Sequence, residues 1–311
     1  MRIFVTGGTG LVGSRLIPRL LQRENEVVLL SRRPDTAREQ VGARGRVVEG
    51  DPMQPGPWME AVGECDAVVN LAGENIFGRR WNKEFKSLLL DSRLKSTANV
   101  VEALARSPQT GAGTAKILVN ASAIGYYGPH DDEEVTEDSP PGNDFLAHIC
   151  VEWEKVARAA EVQGIRVAMV RIGVVLDKEG GALAKMLTPF KLGVGGPIGW
   201  TPWSGNQVMS WIHHDDLVGI MLLLLDHSAV RGPVNGTAPA PVTNREFSKA
   251  LGRALHRPAV LPTPPLALRV LMGEVAGVIA TGQRVLPKRA LALGYSFRFP
   301  SLDAALADIL A

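Results

Sequence analysis

Glycines near the start of the chain have the spacing of a phosphate-binding turn. The sequence TGGTGLVG (residues 6–13) lies between a β-branched segment and a helical pattern. Gly7 suits a tight turn, Gly10 lets the backbone approach a pyrophosphate, and Gly13 allows close helix–strand packing. The N–H groups and dipole of the following helix favour the phosphates. The turn predicts dinucleotide binding, with a merely structural turn as the alternative, and its predicted contacts are Gly7, Thr9, Gly10, Leu11, Val12 and Gly13.

The end of the second predicted strand bears on which dinucleotide is bound. An acid there would bind the ribose hydroxyls of NAD, but the sequence is LSRRP (residues 30–34), and the first acid, Asp35, follows the proline. Arg32 can hold a 2′-phosphate with its forked donors, and Ser31 can add a hydroxyl. NADP(H) is therefore the predicted cofactor, and a solvated basic turn is the alternative.

Four further stretches, together with residues 6–13, resemble the extended short-chain dehydrogenase/reductase superfamily. They are Asn70–Ile76, Arg79–Asn82, Ser122–Gly128 and Trp211–Asp216. More narrowly, the chain is similar to the NAD(P)-dependent epimerase-like branch, also described as cell-division-inhibitor-like. The resemblance covers nearly the whole chain, and the tail looks like the small C-terminal domain of unknown function of that branch. It implies a nicotinamide cofactor and leaves the substrate unspecified.

The resemblance implies further cofactor contacts on three elements. The fourth strand ends at Leu71 and Ala72, where the backbone approaches the adenosine side of the dinucleotide, and the small Gly73 follows. Arg93 on the next helix could reach the cofactor or the substrate, although an exposed helix-face arginine is an equal alternative. Val175 leaves a strand toward the expected nicotinamide edge, and a buried strand end is the alternative there.

Reductases of this superfamily use a YxxxK pair, in which the tyrosine transfers a proton and the lysine lowers its pKa and holds the nicotinamide ribose. Counting back from Glu154, which resembles the acid that follows the pair, puts Leu146 and Cys150 at the tyrosine and lysine positions. No YxxxK occurs anywhere in the sequence. The comparison with the superfamily therefore implies that the standard proton relay is absent.

Other polar residues near the end of the fifth strand are then candidates for catalysis. Ser122 lies near the superfamily's catalytic Ser/Thr position, although a shift of one residue would put Ala123 there. Tyr126 or Tyr127 could act as an acid, and the alternative is that both form a pocket wall. The predicted catalytic residues are Ser122, Tyr126 and Tyr127, and the predicted substrate pocket contains Glu74, Asn75, Trp81 and Trp203.

The contiguous residues His213, His214, Asp215 and Asp216 raise the question of a metal site. Tetrahedral metal ligands are usually spaced more widely in sequence, and we expect these four side chains not to converge. Asp215 or Asp216 can instead cap a helix. No metal is predicted.

Apolar, β-branched segments alternate with helical patterns through the first half of the chain. Strands are predicted at residues 2–5, 26–30, 46–48, 67–71, 116–120 and 166–171, and helices at residues 11–23, 83–105 and 144–163. Near-continuous apolar strands separated by helices indicate a parallel sheet covered on both faces. The predicted fold class is α/β, a Rossmann-type doubly wound parallel sheet with a smaller, mostly helical C-terminal cap domain.

The composition changes after about Asp177. Glycines, prolines and two tryptophans crowd residues 193–203, which favours a loop. A second break, residues 232–241, precedes Thr243 and Glu246, which have the spacing of a capping box. We predict an NADP-binding domain of residues 1–178 and 206–236, and a substrate or cap domain of residues 179–205 and 237–311.

Charge and composition exclude several classes of protein. The 311 residues carry 34 basic and 32 acidic side chains, so no long-range field for nucleic acid or an anionic membrane is expected. Two cysteines without a CxxC pair argue against a disulfide framework or structural zinc, and a cytoplasmic location is predicted. The most apolar run, residues 219–225, is too short for a membrane span, and the first residues do not resemble a signal peptide.

Together these patterns predict an NADP(H)-binding, oxidoreductase-like protein that acts on an unidentified small carbonyl or alcohol by a non-standard proton relay. The alternative is a catalytically weak or inactive NADPH-binding regulatory protein whose cap binds a protein partner. The absent YxxxK favours the regulator, and the cleft residues Asn75, Arg79 and Trp81 favour the enzyme. Sugar-nucleotide epimerisation is a weaker hypothesis, since it normally also needs the missing tyrosine.

Overall fold

The structure is a computed structural model that describes residues 1–106, 116–130 and 132–311. Its strands are β1 (Arg2–Thr6), β2 (Glu26–Ser31), β3 (Gly45–Glu49), β4 (Ala67–Asn70), β5 (Ile117–Ala123), β6 (Glu134–Val135), β7 (Arg166–Ile172), β8 (Val174–Asp177), β9 (Val208–Met209), β10 (Trp211–His213), β11 (Gly232–Gly236), β12 (Val242–Thr243) and β13 (Arg284–Val285). Its helices are α1 (Leu11–Gln22), α2 (Pro34–Val41), α3 (Trp58–Gly63), α4 (Lys83–Ala105), α5 (Phe145–Arg158), α6 (Gly181–Lys191), α7 (His214–Asp226), α8 (Asn244–Ala254), α9 (Pro265–Met272), α10 (Ala276–Ala280), α11 (Lys288–Ala292) and α12 (Leu302–Leu310).

Seven parallel strands form the central sheet, in the order β11-β7-β5-β4-β1-β2-β3. The register pairs Thr6 with Asn70 and Asn70 with Asn120, so β1 and β4 end side by side and β5 continues beyond them to Ala123. Both faces of the sheet are covered, because the successive residues Phe4 and Val5 belong to two separate apolar clusters. The predicted doubly wound parallel α/β fold is confirmed. Such sheets bind ligands at the carboxyl ends of their strands.

Side-chain caps fix where the helices around this edge begin. The N–H of Phe85 donates to Asn82 at the start of α4, and the N–H of Ala147 donates to Asp144 at the start of α5. At α8 the predicted capping box is present, with both of its hydrogen bonds formed. Each such cap stabilises its helix by about 1 kcal/mol.

The remaining helices build a second core beside the sheet. Apolar residues of α6, α8 and α12 pack around the buried Trp211 of β10. The helix α9 differs from the others in this region, because none of its residues is buried. The predicted domain boundaries stay a prediction. The strand β10 contributes residues both to the core of the sheet and to the second core, and α7, which follows it, packs in the core of the sheet.

The predicted elements lie close to the observed ones, with one clear difference. The helix predicted over residues 144–163 ends as α5 at Arg158 and continues as a 3-10 turn over Ala159–Gln163. Gly164, with φ of +74°, ends this turn in the left-handed conformation that favours glycine. Among the described residues, no helix combines the length and the apolar character that crossing a bilayer requires.

Candidate cofactor and active site

The glycine turn between β1 and α1 leaves no room for side chains. Gly7 has φ of +65°, and a Cβ there would lie 2.6 Å from the backbone carbonyl of Leu71. A Cβ on Gly13 would lie 2.4 Å from the Cα of Gly8. Gly10 precedes α1 without any side-chain cap, so the first N–H groups of the helix receive no side-chain acceptor. The turn is a backbone cradle at a helix N-terminus, and it fits the phosphates of a dinucleotide.

The end of β4 lies against this cradle. The N–H of Leu71 donates to the carbonyl of Thr6 at 3.2 Å, and the N–H of Ala72 donates to the Thr6 hydroxyl at 3.2 Å. That hydroxyl donates in turn to the Oδ1 atom of the buried Asn70 at 2.5 Å. The predicted contacts Leu71, Ala72 and Gly73 are therefore held beside the glycine turn. Sequence reasoning did not single out Thr6, whose role depends on a strand that is distant in sequence.

The loop after β8 packs on the first turn of α1. A Cβ on Gly181 would lie 3.1 Å from a methyl carbon of Leu11 and 3.4 Å from the carbonyl oxygen of Val175. Arg15 of α1 donates to both carboxylate oxygens of Asp177, at 2.7 and 2.9 Å. Burial alone would raise the pKa of Asp177, but the hydrogen bonds from Arg15 keep it below its ordinary value. The structure thus brings the predicted contacts Leu11 and Val175 together.

The two residues predicted to select NADP(H) differ in whether their side chains already have hydrogen-bond partners. Arg32 is exposed, and within the described residues its side chain has neither a hydrogen bond nor an ion pair. Ser31 is buried, and its hydroxyl exchanges hydrogen bonds with the backbone of Arg33 at 3.0 Å. Gln40 of α2 also supports the cradle, since its side chain donates to the carbonyl of Gly8 at 2.8 Å. No sequence pattern pointed to Gln40.

Arg93 lies where α4 meets α5 and the end of β4. Its guanidinium carbon is 5.2 Å from the ring centre of Trp153, and a Cβ on Gly73 would lie 3.4 Å from it. The side chain donates to the carbonyl of Leu89 at 2.9 Å and has no ion pair among the described residues. Burial lowers the pKa of Arg93, and the negative charge of Glu74 opposes this. A half-buried cation without a counter-ion fits an electron-rich group of a ligand.

Leu146 and Cys150, which the sequence comparison assigned to the tyrosine and lysine positions of the superfamily, both lie on α5. A Cβ on Gly125, in the 3-10 turn after β5, would lie 3.3 Å from the Cβ of Leu146 and 3.8 Å from the Sγ of Cys150. Burial raises the pKa of the Cys150 thiol to about 12. This part of α5 therefore presents an uncharged surface to the turn that follows β5.

Ser122 lies near the end of β5, and its hydroxyl contacts a buried ion pair. Its Oγ donates to a carboxylate oxygen of Glu154 at 2.8 Å. Arg171 donates to both oxygens of the same carboxylate, at 2.8 and 2.9 Å. Burial alone would lower the pKa of Arg171, but the hydrogen bonds and charge of Glu154 raise it. These contacts give Ser122 a structural role, and its catalytic role stays a prediction.

The two adjacent tyrosines differ sharply in their surroundings. Tyr127 is 1% exposed, and its hydroxyl donates to Asn235 at 2.6 Å and accepts from Arg171 at 2.9 Å. Burial raises the pKa of Tyr127 to about 12. Tyr126 is half-buried with its ring 3.4 Å from the guanidinium carbon of Arg171, and its hydroxyl has no hydrogen bond within the described part of the chain. Of the two, Tyr126 has the free hydroxyl.

Glu74, Asn75 and Trp81 share the loop between β4 and α4. The N–H of Phe77 donates to the side chain of Asn75 at 2.9 Å, which orders the loop locally. The Trp81 ring meets the Phe145 ring edge-on, with ring centres 5.4 Å apart. The loop thus connects the end of β4 to the start of α5.

The cap contacts this loop and the start of α4 through three cation-bearing side chains. The three contacts are a hydrogen bond from Arg80 to the Val270 carbonyl, a hydrogen bond from Lys185 to the Phe77 carbonyl, and an ion pair of Lys86 with Glu274. Trp203, the fourth predicted pocket residue, lies apart from the other three. It is 76% exposed and lines a groove of the cap that none of them lines.

The expectation that the His213–Asp216 side chains do not converge is wrong. Donor atoms of His213, His214 and Asp215 lie within 4.8 Å of one another. The N–H of Asp215 donates to Nδ1 of His213 at 3.0 Å, and Nε2 of His213 lies 3.2 Å from a carboxylate oxygen of Asp308 on α12. The helix α7 begins at His214, so its N-cap residue is His213. The prediction that Asp215 or Asp216 caps this helix is wrong. These contacts join α7 to its neighbours.

Comparisons with known proteins extend over the whole chain. Residues 3–235 match the NAD dependent epimerase/dehydratase family, and residues 263–309 match a domain of unknown function, DUF1731. The epimerase family protein SDR39U1 of Mus musculus is 43% identical over 318 residues, covering 100% of both chains. The epimerase family protein YfhF of Bacillus subtilis is 37% identical over 312 residues, covering 100% of this chain and 98% of that one.

Solved structures agree with these matches. The crystal structure of human epimerase family protein SDR39U1 (isoform 2) with NADPH is 39% identical with a TM-score of 0.85, covering 100% of this chain and 99% of that one. UDP-glucuronic acid 4-epimerase from Bacillus cereus, at 17% identity and a TM-score of 0.78, covers 100% of this chain and 99% of its own and shares the fold. The resemblance inferred from sequence is confirmed. The chain belongs to the NAD dependent epimerase/dehydratase family.

Proposed function

We propose that this protein binds NADP(H) and transfers a hydride between the nucleotide and a small carbonyl or alcohol compound. The observation that carries the nucleotide part is the glycine cradle, which is closed against Leu71 and lies at the uncapped start of α1. Backbone N–H groups at a helix N-terminus stabilise phosphate oxygens. Gly7, Thr9, Gly10, Leu11, Val12 and Gly13 would hold the pyrophosphate there.

The choice of NADP(H) over NAD(H) rests on Arg32. The side chain is exposed at the end of β2 and has no competing partner within the described residues. A guanidinium forms charge-assisted, forked hydrogen bonds with a phosphate. The human relative, 39% identical, was solved with NADPH, which supports the same nucleotide here. Ser31 contributes less, because its hydroxyl is already bonded to the backbone of Arg33.

Arg93 is the residue that we propose in place of the absent lysine. The thiol of Cys150 is neutral at physiological pH and supplies no cation. Arg93 carries a positive charge beside Gly73 and Trp153, and its only hydrogen-bond acceptor among the described residues is a backbone carbonyl. Its remaining N–H donors are available to hydroxyl or phosphate oxygens of the nucleotide or the substrate.

Tyr126 is the residue that we propose for proton transfer. Its hydroxyl is free in the described structure, whereas those of Ser122 and Tyr127 are engaged in the buried network. The Arg171 guanidinium lies over the Tyr126 ring, 3.4 Å from its centre, and holds the side chain in place. The bound nicotinamide supplies or accepts the hydride. Glu74, Asn75 and Trp81 would line the substrate side, and Val175 the nicotinamide side.

The test uses NADPH with deuterium at C4, a panel of small ketones and aldehydes, and mass spectrometry of the products. We expect NADPH to bind by calorimetry and deuterium to appear in an alcohol, at a turnover below the enzyme median of about 10 per second. Absence of NADPH binding would refute the cofactor proposal. Binding without deuterium transfer across the panel would refute the oxidoreductase proposal and favour the regulatory alternative.

A further inference from the structure

Exposed apolar side chains are concentrated on one part of the cap. Of the twelve large hydrophobic residues that are exposed in the described structure, nine lie between residues 192 and 271. On α9 the side chains of Leu266, Val270 and Leu271 are 60%, 64% and 74% exposed, and the neighbouring Trp200 is 66% exposed. These four residues, with Pro264 and Ala267, line a depression of about 520 Å³. We refer to Trp200, Leu266, Val270 and Leu271 as the α9 face.

A basic groove adjoins the α9 face. It has a volume of about 750 Å³, with Pro202 and Trp203 on its lining together with residues of α8 and the loop after it. We refer to it as the α8 groove. Its basic residues are Arg245, Lys249, Arg253, His256 and Arg257, and no acidic residue lines it.

Three of these lysine and arginine side chains have no ion pair within the described residues. They are Arg245, Lys249 and Arg257, of which Arg245 donates a hydrogen bond to the carbonyl of Trp203 at 3.0 Å, whereas Arg253 pairs with Asp303 at 2.7 Å. The whole chain has a formal charge of only +2, so this concentration of positive charge is local. The α8 groove therefore favours a negatively charged occupant.

One loop joins the two surfaces. The N–H of Gly199 donates to the carbonyl of Thr263 at 2.9 Å, and the N–H of Thr263 donates to the carbonyl of Pro197 at 2.9 Å. These bonds fix the segment that carries Trp200, on the α9 face, and Trp203, in the α8 groove. Trp200 and Trp203 are three residues apart in this segment, so the apolar α9 face and the basic α8 groove are neighbouring surfaces.

We infer that the two form one surface that docks an acidic segment of another protein, with large apolar side chains on the α9 face and carboxylates in the α8 groove. Exposed apolar patches with a polar rim mark interaction sites, and tryptophan and arginine carry much of the binding energy at such sites. The concave groove fits a chain segment better than it fits a flat bilayer. Charge complementarity selects the acidic partner.

A second copy of this chain fits the surface less well. The most acidic described stretch lies around β6, but Asp132 there pairs with Arg284. Glu134 and Val135 are paired with β13 in a two-stranded sheet. The ion pair of Asp132 and the backbone pairing of β6 thus hold this stretch against β13 of its own chain. A symmetric dimer through the groove would place like charges opposite each other.

The test selects phage-displayed random peptides on the full-length protein and measures the affinity of the enriched peptides by fluorescence anisotropy. We expect enrichment of peptides that combine Asp or Glu with Leu, Phe or Trp. The variant Lys249→Glu/Arg257→Glu should bind them at least about tenfold more weakly, and so should Leu266→Ser/Leu271→Ser. Added salt should weaken binding, because the charged part of the surface is exposed.

Matched controls separate this surface from general effects of charge and polarity. Arg44→Glu/Lys288→Glu makes the same change in charge elsewhere, and Val162→Ser/Leu291→Ser removes exposed apolar side chains elsewhere. Both controls should retain peptide affinity, and all variants should retain NADPH affinity.

Three results would overturn the inference. The first is a selection that enriches no acidic peptides, or one that enriches peptides whose affinity is the same for the parent protein and the surface variants. The second is binding of phosphatidylserine vesicles without binding of peptides, which would assign the surface to a membrane. The third is a concentration-dependent dimer in sedimentation that the surface variants abolish and the controls retain, which would assign it to a second copy.

Discussion

The glycine cradle and the buried polar network at the end of β5 use their polar groups in opposite ways. At the glycine cradle, the first turn of α1 has no side-chain cap, and Arg32 has no partner in the described structure. Behind β5, Ser122, Glu154 and Arg171 use their polar atoms on one another. A group that is already bonded gains little by exchanging one hydrogen bond for another. The first region is thus built to bind, and the second to hold the fold together.

The same contrast recurs at the end of β5, between two tyrosines that are neighbours in sequence. Tyr127 has a fully bonded hydroxyl in the core, and Tyr126, half-buried in the same turn, has a hydroxyl without a hydrogen bond among the described residues. The buried network therefore positions Tyr126 through the Arg171 guanidinium that lies over its ring. The proton transfer proposed above would then depend on one tyrosine without an adjacent lysine.

The largest expected effect is on stability, from breaking the buried ion pair. Arg171→Met leaves the buried carboxylate of Glu154 with only the more distant Arg158, at 4.0 Å, as a cationic neighbour, and we expect a loss of about 3–5 kcal/mol in the free energy of unfolding. Urea denaturation near neutral pH measures this loss. The double variant Arg171→Met/Glu154→Leu removes both charges and should recover part of it. A loss below about 1 kcal/mol in the single variant would contradict a structural role for this network.

The second prediction separates the two tyrosines. Tyr126→Phe should lower turnover by about 10²-fold or more, with unchanged stability and NADPH affinity, because proton transfer is lost. Tyr127→Phe should instead lower the free energy of unfolding by about 1–3 kcal/mol, because Asn235 and Arg171 lose a buried partner. Kinetics and urea denaturation of both variants check this. The opposite pattern would move the proton donor to Tyr127.

The third prediction concerns the nucleotide. The parent protein should bind NADPH at least about tenfold more tightly than NADH, which is about 1.4 kcal/mol, and Arg32→Ala should remove most of that difference. Calorimetry with both nucleotides measures it. Arg44→Ala, which removes the same charge from an exposed site, is the control and should keep the preference. Equal affinities of the parent protein for the two nucleotides would refute the assignment.

Much of the binding side could be predicted from sequence, because its determinants are local. The strand pattern and the glycine spacing lie within one βα unit, and the rest of the parallel sheet follows from apolar periodicity. The burial of Arg93 was not predicted, since it depends on Trp153 in α5 and not on its own helix.

The contacts of Ser122 and Tyr127 were harder to predict, because they join residues that are distant in sequence. Ser122 and Glu154 are 32 residues apart in sequence, and Tyr127 and Asn235 are 108 apart. No local pattern indicates that a serine hydroxyl at a strand end is bonded to a buried carboxylate. The absence of a YxxxK pair was visible in sequence, and Tyr126 was already a candidate there, but only burial and hydrogen bonding distinguish Tyr126 from Tyr127.

The smallest expected effect is that of the Cys150→Ala substitution on NADPH affinity. Its size shows whether Cys150 belongs to an inert part of α5 or to a reactive site. Because burial raises the thiol pKa to about 12, almost no thiolate exists near neutral pH. Cys150→Ala should leave NADPH affinity nearly unchanged, and alkylation of the parent protein near pH 8 should be slow. Cys65 is the control for the alkylation rate. Burial also raises the pKa of its thiol to about 12, and it lies away from the predicted cofactor site. Rapid alkylation of Cys150 that NADPH blocks would place a thiolate in the active site.

The same raised pKa has a consequence for stability at alkaline pH. The ordinary pKa of a cysteine is 9.0, so the unfolded chain loses its thiol protons above that pH while the folded chain keeps them up to about pH 12. The unfolded state then binds fewer protons, and the free energy of unfolding falls as the pH rises from 9 toward 12. Urea denaturation across this range should show a shallower decline for Cys150→Ala than for the parent protein. An identical decline in both would mean that the Cys150 thiol ionises in the folded protein as readily as in the unfolded chain, and Cys150 would then be a candidate for cleft chemistry.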